Sequence, residues 1–175
     1  MAAGADVRID KLGAQMVDGD SGSAISFQVI SLDHPRARAL EDQLKAEMSV
    51  RYGGSGPGAV PVEHFVPPEG AFVVALLGEE AVACGGFRFL RPEIAEIKRM
   101  YVDPAARGRG IGRSLLRFLE EQAAAASYTQ IWLETGTEQP EAIALYASAG
   151  YRPIDPYGEF RYDSRSRCFY RTLGA

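Results

Sequence analysis

The 175-residue sequence predicts an α/β domain built on one mixed sheet, and two observations lead to this fold class. Short stretches that alternate apolar and polar residues are interleaved with longer stretches whose apolar residues recur at helical spacing. In addition, one helical stretch lies between two strand-like stretches, as in the crossover that joins parallel neighbouring strands. A chain of this length buries about 70% of its unfolded surface in one core, so we expect one domain.

The first half of the chain is predicted to form a strand, a helix and a hairpin. Residues 24–31, AISFQVIS, alternate like a half-buried strand, and residues 34–52 carry an apolar stripe at helical spacing. The members of that stripe are Ala37, Leu40, Leu44 and Met48. Residues 71–78 and 81–90 are apolar stretches that meet at the turn GEE, which predicts a β-hairpin.

The second half is predicted to form strand, helix, strand, helix and strand. Residues 95–102, AEIKRMYV, form the first of these strands, and a glycine-rich loop leads from it into a helix over residues 112–126. The residues that share one face of this helix are Leu115, Leu119 and Ala123. A strand over 129–136 is expected to be parallel to the first, and a short helix over 140–150 and a strand over 168–173 follow.

Composition and charge exclude several classes of function. The net charge of −4 argues against a general nucleic-acid-binding protein, because neutralising phosphates requires a broad basic face. No apolar run approaches the roughly 18 residues of a membrane span, and the N-terminus lacks the pattern of a secretory signal. We therefore expect a cytoplasmic protein with no nucleic-acid or membrane partner. Residues 1–23 are polar and glycine-rich and are predicted to be a loosely ordered extension before a domain of residues 24–175.

Cysteine and histidine give no sign of a metal site or of a disulfide framework. Cys84 and Cys168 lie in apolar stretches, where small buried thiols pack well. His34 and His64 have no cysteine or acidic residue at ligand spacing, so the sequence predicts no bound metal.

The loop RGRGIGRS, residues 107–114, predicts a binding site for an anion. Its glycines and arginines are Gly108, Gly110, Gly112, Arg107, Arg109 and Arg113. Glycine allows a ligand to approach the backbone, and the helix that begins near Gly110 leaves its first amide groups without helical partners. A polyanion such as a pyrophosphate suits several charged donors better than a single carboxylate does. The alternative is a tight turn with solvated arginines.

Two other phosphate-binding motifs can be compared with this loop. A P-loop needs a Lys-Ser/Thr pair after its last glycine, and the chain has none there. A dinucleotide-binding fold is the stronger competitor, because strand, loop, helix and strand are followed by an acidic residue, Glu134. Against it, Arg113 stands where the third glycine of that motif belongs, and a β-hairpin precedes the unit.

Two segments together resemble the GNAT superfamily of N-acetyltransferases. RMYVDPAARGRGIGRSLL is similar to its acyl-CoA-binding segment, and AIALYASAGYRPI is similar to its second conserved segment. The resemblance extends from about residue 24 to residue 173. It implies the acyl-CoA N-acyltransferase fold, a mostly antiparallel sheet with one splayed strand pair, a closing hairpin and flanking helices.

The resemblance also implies where acetyl-CoA binds. Its pyrophosphate would lie on the loop residues Arg107, Gly108, Arg109, Gly110, Ile111, Gly112, Arg113 and Ser114. Its pantetheine arm would add as a strand along Met100, Tyr101 and Val102, with the Val102 amide polarising the thioester carbonyl. Gln139 occupies the place where the family often has an asparagine that contacts CoA. No metal is implied.

Two residues are implied in catalysis. Tyr146 matches the tyrosine that protonates or hydrogen-bonds the leaving thiolate, and the alternative is an aromatic residue of the core. Glu96 matches the strand position of a catalytic glutamate in several members, and strand alternation puts it on one face with Lys98 and Met100. The alternative for Glu96 is a surface glutamate paired with Lys98 or Arg99.

The sequence does not name the acyl acceptor, but it indicates two loops that flank it. These loops contain Arg51, Tyr52, Tyr157 and Arg161 as candidate contacts. The expected function is direct acetyl transfer from acetyl-CoA, in a ternary complex, to a primary amine of a small molecule. A non-catalytic acyl-CoA sensor and a dinucleotide-binding oxidoreductase are the alternatives, and a homodimer is left open.

Overall fold

A computed structural model describes residues 15–17, 25–54, 56–159 and 161–174, and within them the chain forms one sheet with helices on both faces. The strands are β1 Gln15–Val17, β2 Ile25–Val29, β3 Ala71–Leu77, β4 Glu80–Arg91, β5 Ile94–Val102, β6 Gln130–Gly136, β7 Arg152–Ile154 and β8 Ser166–Thr172. The helices are α1 Pro35–Tyr52, α2 Ile111–Ala125 and α3 Pro140–Ser148, with short 3₁₀ helices at Val62–Phe65 and Pro104–Ala106.

The strand order is β1-β2-β3-β4-β5-β6-β8-β7, and every pair is antiparallel except β5 and β6. This arrangement confirms the mixed, mostly antiparallel α/β fold and the parallel pair around α2. A short strand within the predicted N-terminal extension, β1, pairs with β2. The rest of that extension lies outside the described residues, and its loose ordering stays a prediction. No helix of the described residues is long and apolar enough to cross a membrane.

The two long helices bury the stripes that the sequence predicts, on opposite faces of the sheet. The α1 stripe packs with Phe72, Cys84 and Tyr101. The α2 stripe packs with Phe27 and Ile97. Both cysteines are buried and free, as their apolar surroundings predict.

The splayed strand pair that the resemblance implies is present, and it lies between β5 and β6. These strands pair from Ile94 opposite Gln130 to Ile97 opposite Leu133. The next five residues of β5, 98–102, pair on one edge only, with β4. The other backbone edge of this segment faces the gap between the two strands, where an extended ligand could add.

A β-bulge at Arg99 accompanies the splay and changes which side chains share a face. Lys98 pairs with Gly86 and Tyr101 with Cys84, so β5 contains one extra residue there, and Arg99 has a φ of 63°. Met100 packs against the core under α2, whereas Tyr101 packs under α1. The expectation that Met100 shares a face with Glu96 is therefore wrong, because a bulge interrupts strand alternation.

Candidate active site

The glycine-rich loop leads directly into α2, and two of its glycines have a backbone conformation that other residues rarely adopt. Gly108 and Gly110 both have a φ of 77°, in the left-handed region where a side chain costs about 1–2 kcal/mol. Gly110 is the N-cap of α2. At both glycines the position of a missing Cβ has no heavy atom within 4 Å. The start of α2 is therefore open to a ligand, and its first amides have no acceptor within the helix.

Two of the loop arginines are anchored by the surrounding elements. Arg107 Nε donates a hydrogen bond of 2.9 Å to the Val102 carbonyl, and its Nη2 lies 2.6 Å from the Glu47 carboxylate. Arg113 Nη2 donates to Ser148 Oγ at 2.6 Å. The loop is thus tied to α1, to β5 and to α3, which fixes its position at the open end of the strand gap.

A cavity of about 340 Å³, here called the loop cavity, joins this loop to the splayed end of β5. The predicted site residues that line it are Met100, Tyr101, Val102, Arg107, Gly108, Gly110, Ile111, Gly112, Arg113, Gln139 and Tyr146. Two of the residues predicted to bind acetyl-CoA, Arg109 and Ser114, do not line it. The Ser114 amide already donates to the Gly110 carbonyl at 3.0 Å, as in a regular helix.

Two further cavities continue from the loop cavity, and the first of them adjoins it directly. The central cavity, about 160 Å³, shares Met100, Gln139 and Tyr146 with it. The outer cavity, about 300 Å³, shares Lys98 and Glu134 with the central cavity. Together they form a series of spaces that begins at the anion-binding loop, passes Tyr146 and continues to the opposite side of the strand gap.

Tyr146 lies at the junction of the loop and central cavities, on the face of α3 that packs on the sheet. It is 5% exposed, and its ring centroid lies 5.7 Å from that of Tyr151 and 6.4 Å from that of Phe169. Burial raises the pKa of the Tyr146 phenol, and the nearby Glu134 charge raises it further. The phenol is therefore protonated at neutral pH and is held as a hydrogen-bond donor beside both cavities.

Gln139 is held in place by the elements around it. Its Oε1 accepts hydrogen bonds from Thr135 Oγ1 at 3.2 Å, the Gly136 amide at 3.3 Å and the Tyr52 hydroxyl at 3.4 Å. These bonds occupy the carbonyl oxygen of the side chain. A CoA contact by Gln139 would therefore use its amide nitrogen.

Glu134 is the acidic residue that sequence reasoning weighed only as part of a dinucleotide-binding pattern. It lies on β6 just beyond the last pair with β5, where the strands have parted. Burial raises the pKa of its carboxyl to about 7, although a hydrogen bond from Ser166 Oγ at 3.0 Å opposes the shift. A carboxyl group with this pKa accepts a proton readily at physiological pH, which is a property of general bases.

Glu96 lies deeper in the sheet and is held by cations. Its side chain is 4% exposed, and Arg88 lies 2.8 Å and Lys98 3.4 Å from its carboxylate oxygens. The Tyr157 hydroxyl donates to the same carboxylate at 3.1 Å. Glu96 is therefore buried and not a surface glutamate; it pairs with Lys98, whereas Arg99 pairs with Glu41. It lines the outer cavity but not the central one.

Comparison with known proteins shows the family of the chain. The profile of the acetyltransferase (GNAT) family matches residues 37–151. This chain belongs to the GNAT acetyltransferase family. An IAA acetyltransferase from Azospirillum brasilense is 33% identical over 135 residues, which cover 77% of this chain and 88% of that protein.

Solved structures show the same fold for this GNAT acetyltransferase. A Klebsiella pneumoniae protein assigned as an acyl-CoA N-acyltransferase superposes with a TM-score of 0.73 at 27% identity, covering 86% of this chain and 98% of that one. A GNAT acetyltransferase from Elizabethkingia anophelis, solved with acetyl-CoA bound, superposes with a TM-score of 0.65 at 17% identity, covering 85% and 98%. The chain is an acyltransferase enzyme, and the oxidoreductase alternative is set aside.

The four candidate acceptor contacts in this GNAT enzyme fall into two groups. Tyr52 lines a cavity of about 290 Å³ beside Gln139, and Tyr157 lines the outer cavity. Arg51 is paired with Glu47 and Glu141 at 2.6 and 2.5 Å. Arg161 is exposed and lies over the Tyr162 ring at 4.7 Å. Neither arginine lines one of these four cavities, so the structure brings only the two tyrosines to them.

Proposed function

We propose that this enzyme transfers the acetyl group of acetyl-CoA directly to a primary amine of a small molecule, within a ternary complex. The observation that carries the proposal is the series of adjoining cavities that runs from the glycine-rich loop past Tyr146 to Glu134. Such a series allows two substrates to enter from opposite sides and to meet at the tyrosine. Holding both reactants in place turns a bimolecular step into an effectively unimolecular one.

On the acetyl-CoA side, the pyrophosphate is expected at the start of α2 and the pantetheine arm along the free edge of β5. The Val102 carbonyl on that edge now accepts a hydrogen bond from Arg107 Nε. Binding of the arm beside Val102 would compete for this carbonyl, and the freed guanidinium would lie near the pyrophosphate. Arg107 would then contribute charge where the ligand carries it.

Direct transfer agrees with the positions of the two thiols. A covalent acetyl-enzyme would need a reactive cysteine in the cavities, but both cysteines are buried and neither lines the loop, central or outer cavity. Burial strongly raises the pKa of the Cys84 thiol, which suppresses the reactive thiolate. We therefore expect the amine nitrogen to attack the thioester carbon itself.

The attack requires a base, because the acceptor amine is protonated in water. With reference pKa values near 8 and 10.4, removing the proton at pH 7 costs about 1.4 kcal/mol for an α-amino group and about 4.6 kcal/mol for a lysine. Glu134, with a pKa of about 7, suits this role. Glu96 remains the other candidate, but its carboxylate is already paired with Arg88 and Lys98, and it does not line the central cavity beside Tyr146.

The leaving group requires a donor. As the carbon–nitrogen bond forms and the carbon–sulfur bond breaks, negative charge collects on the CoA sulfur. Tyr146 would donate a hydrogen bond to that sulfur. Since burial raises the pKa of Tyr146 above that of a thiol, near 8.5, the phenol stabilises the thiolate without having to lose its own proton. The proton taken from the amine leaves through the base.

Release of CoA thiol from acetyl-CoA, measured over a panel of small primary amines, tests the proposal. We expect turnover with some amines and initial-rate patterns that intersect in double-reciprocal plots, as a ternary complex requires. Parallel lines would instead indicate an acetyl-enzyme. Binding of acetyl-CoA without turnover of any amine would favour a sensor and overturn the proposed reaction.

A further inference from the structure

We infer that the acceptor carries a carboxylate near its amine and that Lys98 and Arg99, at the bulge of β5, bind this carboxylate. The inference rests on the proposed function, because it names the class of acceptor for the same site. It would make free amino acids and similar dipolar amines the preferred substrates.

Arg99 is a buried cation whose hydrogen-bonding capacity is only partly used. Its side chain is 3% exposed, and its Nε lies 3.6 Å from a Glu41 carboxylate oxygen. Its Nη2 donates to the Gly58 carbonyl, but Nε and Nη1 are buried and have no hydrogen-bond partner in the part of the chain that the structure describes. Buried polar groups almost always have partners, so two unused donors on one guanidinium call for an explanation.

The backbone at Arg99 gives a second, independent observation. Its φ of 63° is unusual for a residue with a side chain and belongs to the bulge that interrupts β5. The bulge turns Arg99 toward α1 and the glycine-rich segment that contains Gly58, and Arg99 lines the central cavity. Strained backbone of this kind persists mainly at ligand sites, where the side chain must hold one orientation.

Lys98, the preceding residue, also has donors without a partner among the residues that the structure describes. Its ammonium lies 3.4 Å from one Glu96 oxygen, and that carboxylate already has closer contacts from Arg88 at 2.8 Å and Tyr157 at 3.1 Å. The Lys98 side chain lines both the central and the outer cavity. Its remaining N–H groups are therefore placed to meet a ligand in either space.

The charges around the central cavity are arranged for a molecule that carries both signs. Lys98 and Arg99 lie on β5, whereas Glu134 lies on β6 across the gap where the strands have parted. An acceptor whose amine approaches Glu134 and whose carboxylate meets Lys98 and Arg99 would satisfy both sides. Charge-assisted hydrogen bonds to a carboxylate would occupy the unused donors. Glu159, which also lines the cavity, is an exposed second carboxylate whose charge acts on both Arg99 and Glu134.

An amine without a carboxylate would leave the same donors buried and unpaired. A peptide N-terminus is such an amine, because its first carboxyl group is an amide. The central cavity of about 160 Å³ also favours a small acceptor over a folded protein segment. A peptide or protein acceptor is therefore an outcome that the test must be able to reveal.

The test compares small L-amino acids with their carboxamides as acceptors, in pairs, using CoA release to obtain kcat/KM for each. For every enzyme, kcat/KM for the amino acid is divided by kcat/KM for its carboxamide. Comparing this acid-to-amide ratio between enzymes cancels the different basicities of the two amines. The enzymes are wild type, Lys98→Met, Lys98→Arg, Arg99→Gln and, as a control, Arg117→Met, which removes an exposed charge on α2. Thermal unfolding shows whether Arg99→Gln remains folded; Lys98→Met tests the inference in either case.

We expect wild type to prefer the acid, and Lys98→Met to lower the acid-to-amide ratio about 10- to 100-fold, as loss of a charged hydrogen bond does. Lys98→Arg should retain most of the preference, and Arg117→Met should keep the wild-type ratio. Equal ratios in wild type and Lys98→Met would overturn the inference while leaving the proposed reaction standing. CoA release with none of the amines would overturn both.

Discussion

The Glu134→Gln substitution should make the folded protein more stable at alkaline pH and less active at neutral pH. Burial raises the pKa of Glu134 to about 7, whereas an exposed glutamate titrates near 4.3. Each pKa unit corresponds to about 1.36 kcal/mol, so keeping this carboxyl ionised in the folded state costs up to about 3–4 kcal/mol. Glutamine has nearly the same shape and no charge, and it can still accept the hydrogen bond from Ser166.

The dependence on pH follows from the direction of the shift. Because the pKa of Glu134 is higher in the folded than in the unfolded state, its contribution favours folding below about pH 4 and is lost as the pH rises through about 7. The variant should therefore gain little over wild type near pH 4 and about 2–3 kcal/mol at pH 8, allowing for relaxation of the site. Urea unfolding of both proteins at the two pH values measures this difference in the free energy of unfolding.

Activity should change in the opposite direction. If Glu134 removes the proton from the amine, its loss lowers kcat/KM about 10²- to 10⁴-fold near neutral pH. The deficit should shrink as the pH approaches the pKa of the acceptor, because the amine then loses its proton unaided. CoA release measured from pH 6 to pH 10 records this profile. As a control, Glu121→Gln replaces an exposed carboxylate on α2 with a neutral amide. It should change neither the stability of the protein nor the rate of CoA release.

Two results would refute the reasoning in different places. A variant that is stabilised at pH 8 and yet turns over at the wild-type rate would show that the pKa of Glu134 is raised but that Glu134 is not the base. A variant with unchanged stability at pH 8 would show that the pKa of the carboxyl is not raised in the folded protein, and Glu134 would then lack the property that suits a general base.

The remaining predictions concern the loop, the other acid and the tyrosine. Gly110→Val should weaken acetyl-CoA binding in calorimetric titration far more than Gly78→Val, although both replace a glycine of positive φ with open space around it; equal affinities would remove the loop from the site. Glu96→Gln should lower kcat/KM most at low pH if Glu96 is the base, and a loss that is equal at every pH would indicate a positioning role. Tyr146→Phe should lower kcat about 10²-fold, or about 2.7 kcal/mol, while the acetyl-CoA Kd barely moves; a wild-type rate in a chemistry-limited assay would make Tyr146 a core residue.

Much of the fold could be predicted because its signals are local. The stripe on α1 and the apolar runs of the β3–β4 hairpin lie in short windows of sequence, and each reports directly which residues are buried. The glycine pattern before α2 is equally local, since Gly108 and Gly110 occupy positions whose positive φ requires glycine. The predicted pyrophosphate loop and the residues that line its cavity therefore coincide closely.

The roles of the charged residues on the acceptor side could not be predicted in the same way, because their burial and ion pairs depend on neighbours that are distant in sequence. Alternation along β5 gives no sign of the bulge at Arg99, so the sequence places Met100 on the face of Glu96 and treats Arg99 as an ordinary surface cation. The sequence leaves open whether Glu96 is a catalytic residue or a surface glutamate; in the folded chain it is buried and paired with Arg88 from β4. Glu134 acquires its raised pKa from burial where β5 and β6 part, although the hydrogen bond from Ser166 on the neighbouring strand β8 opposes the shift. The fold thereby gives different surroundings to two glutamates that the sequence cannot rank: Glu96 is enclosed by two cations, whereas burial raises the pKa of Glu134 to about 7.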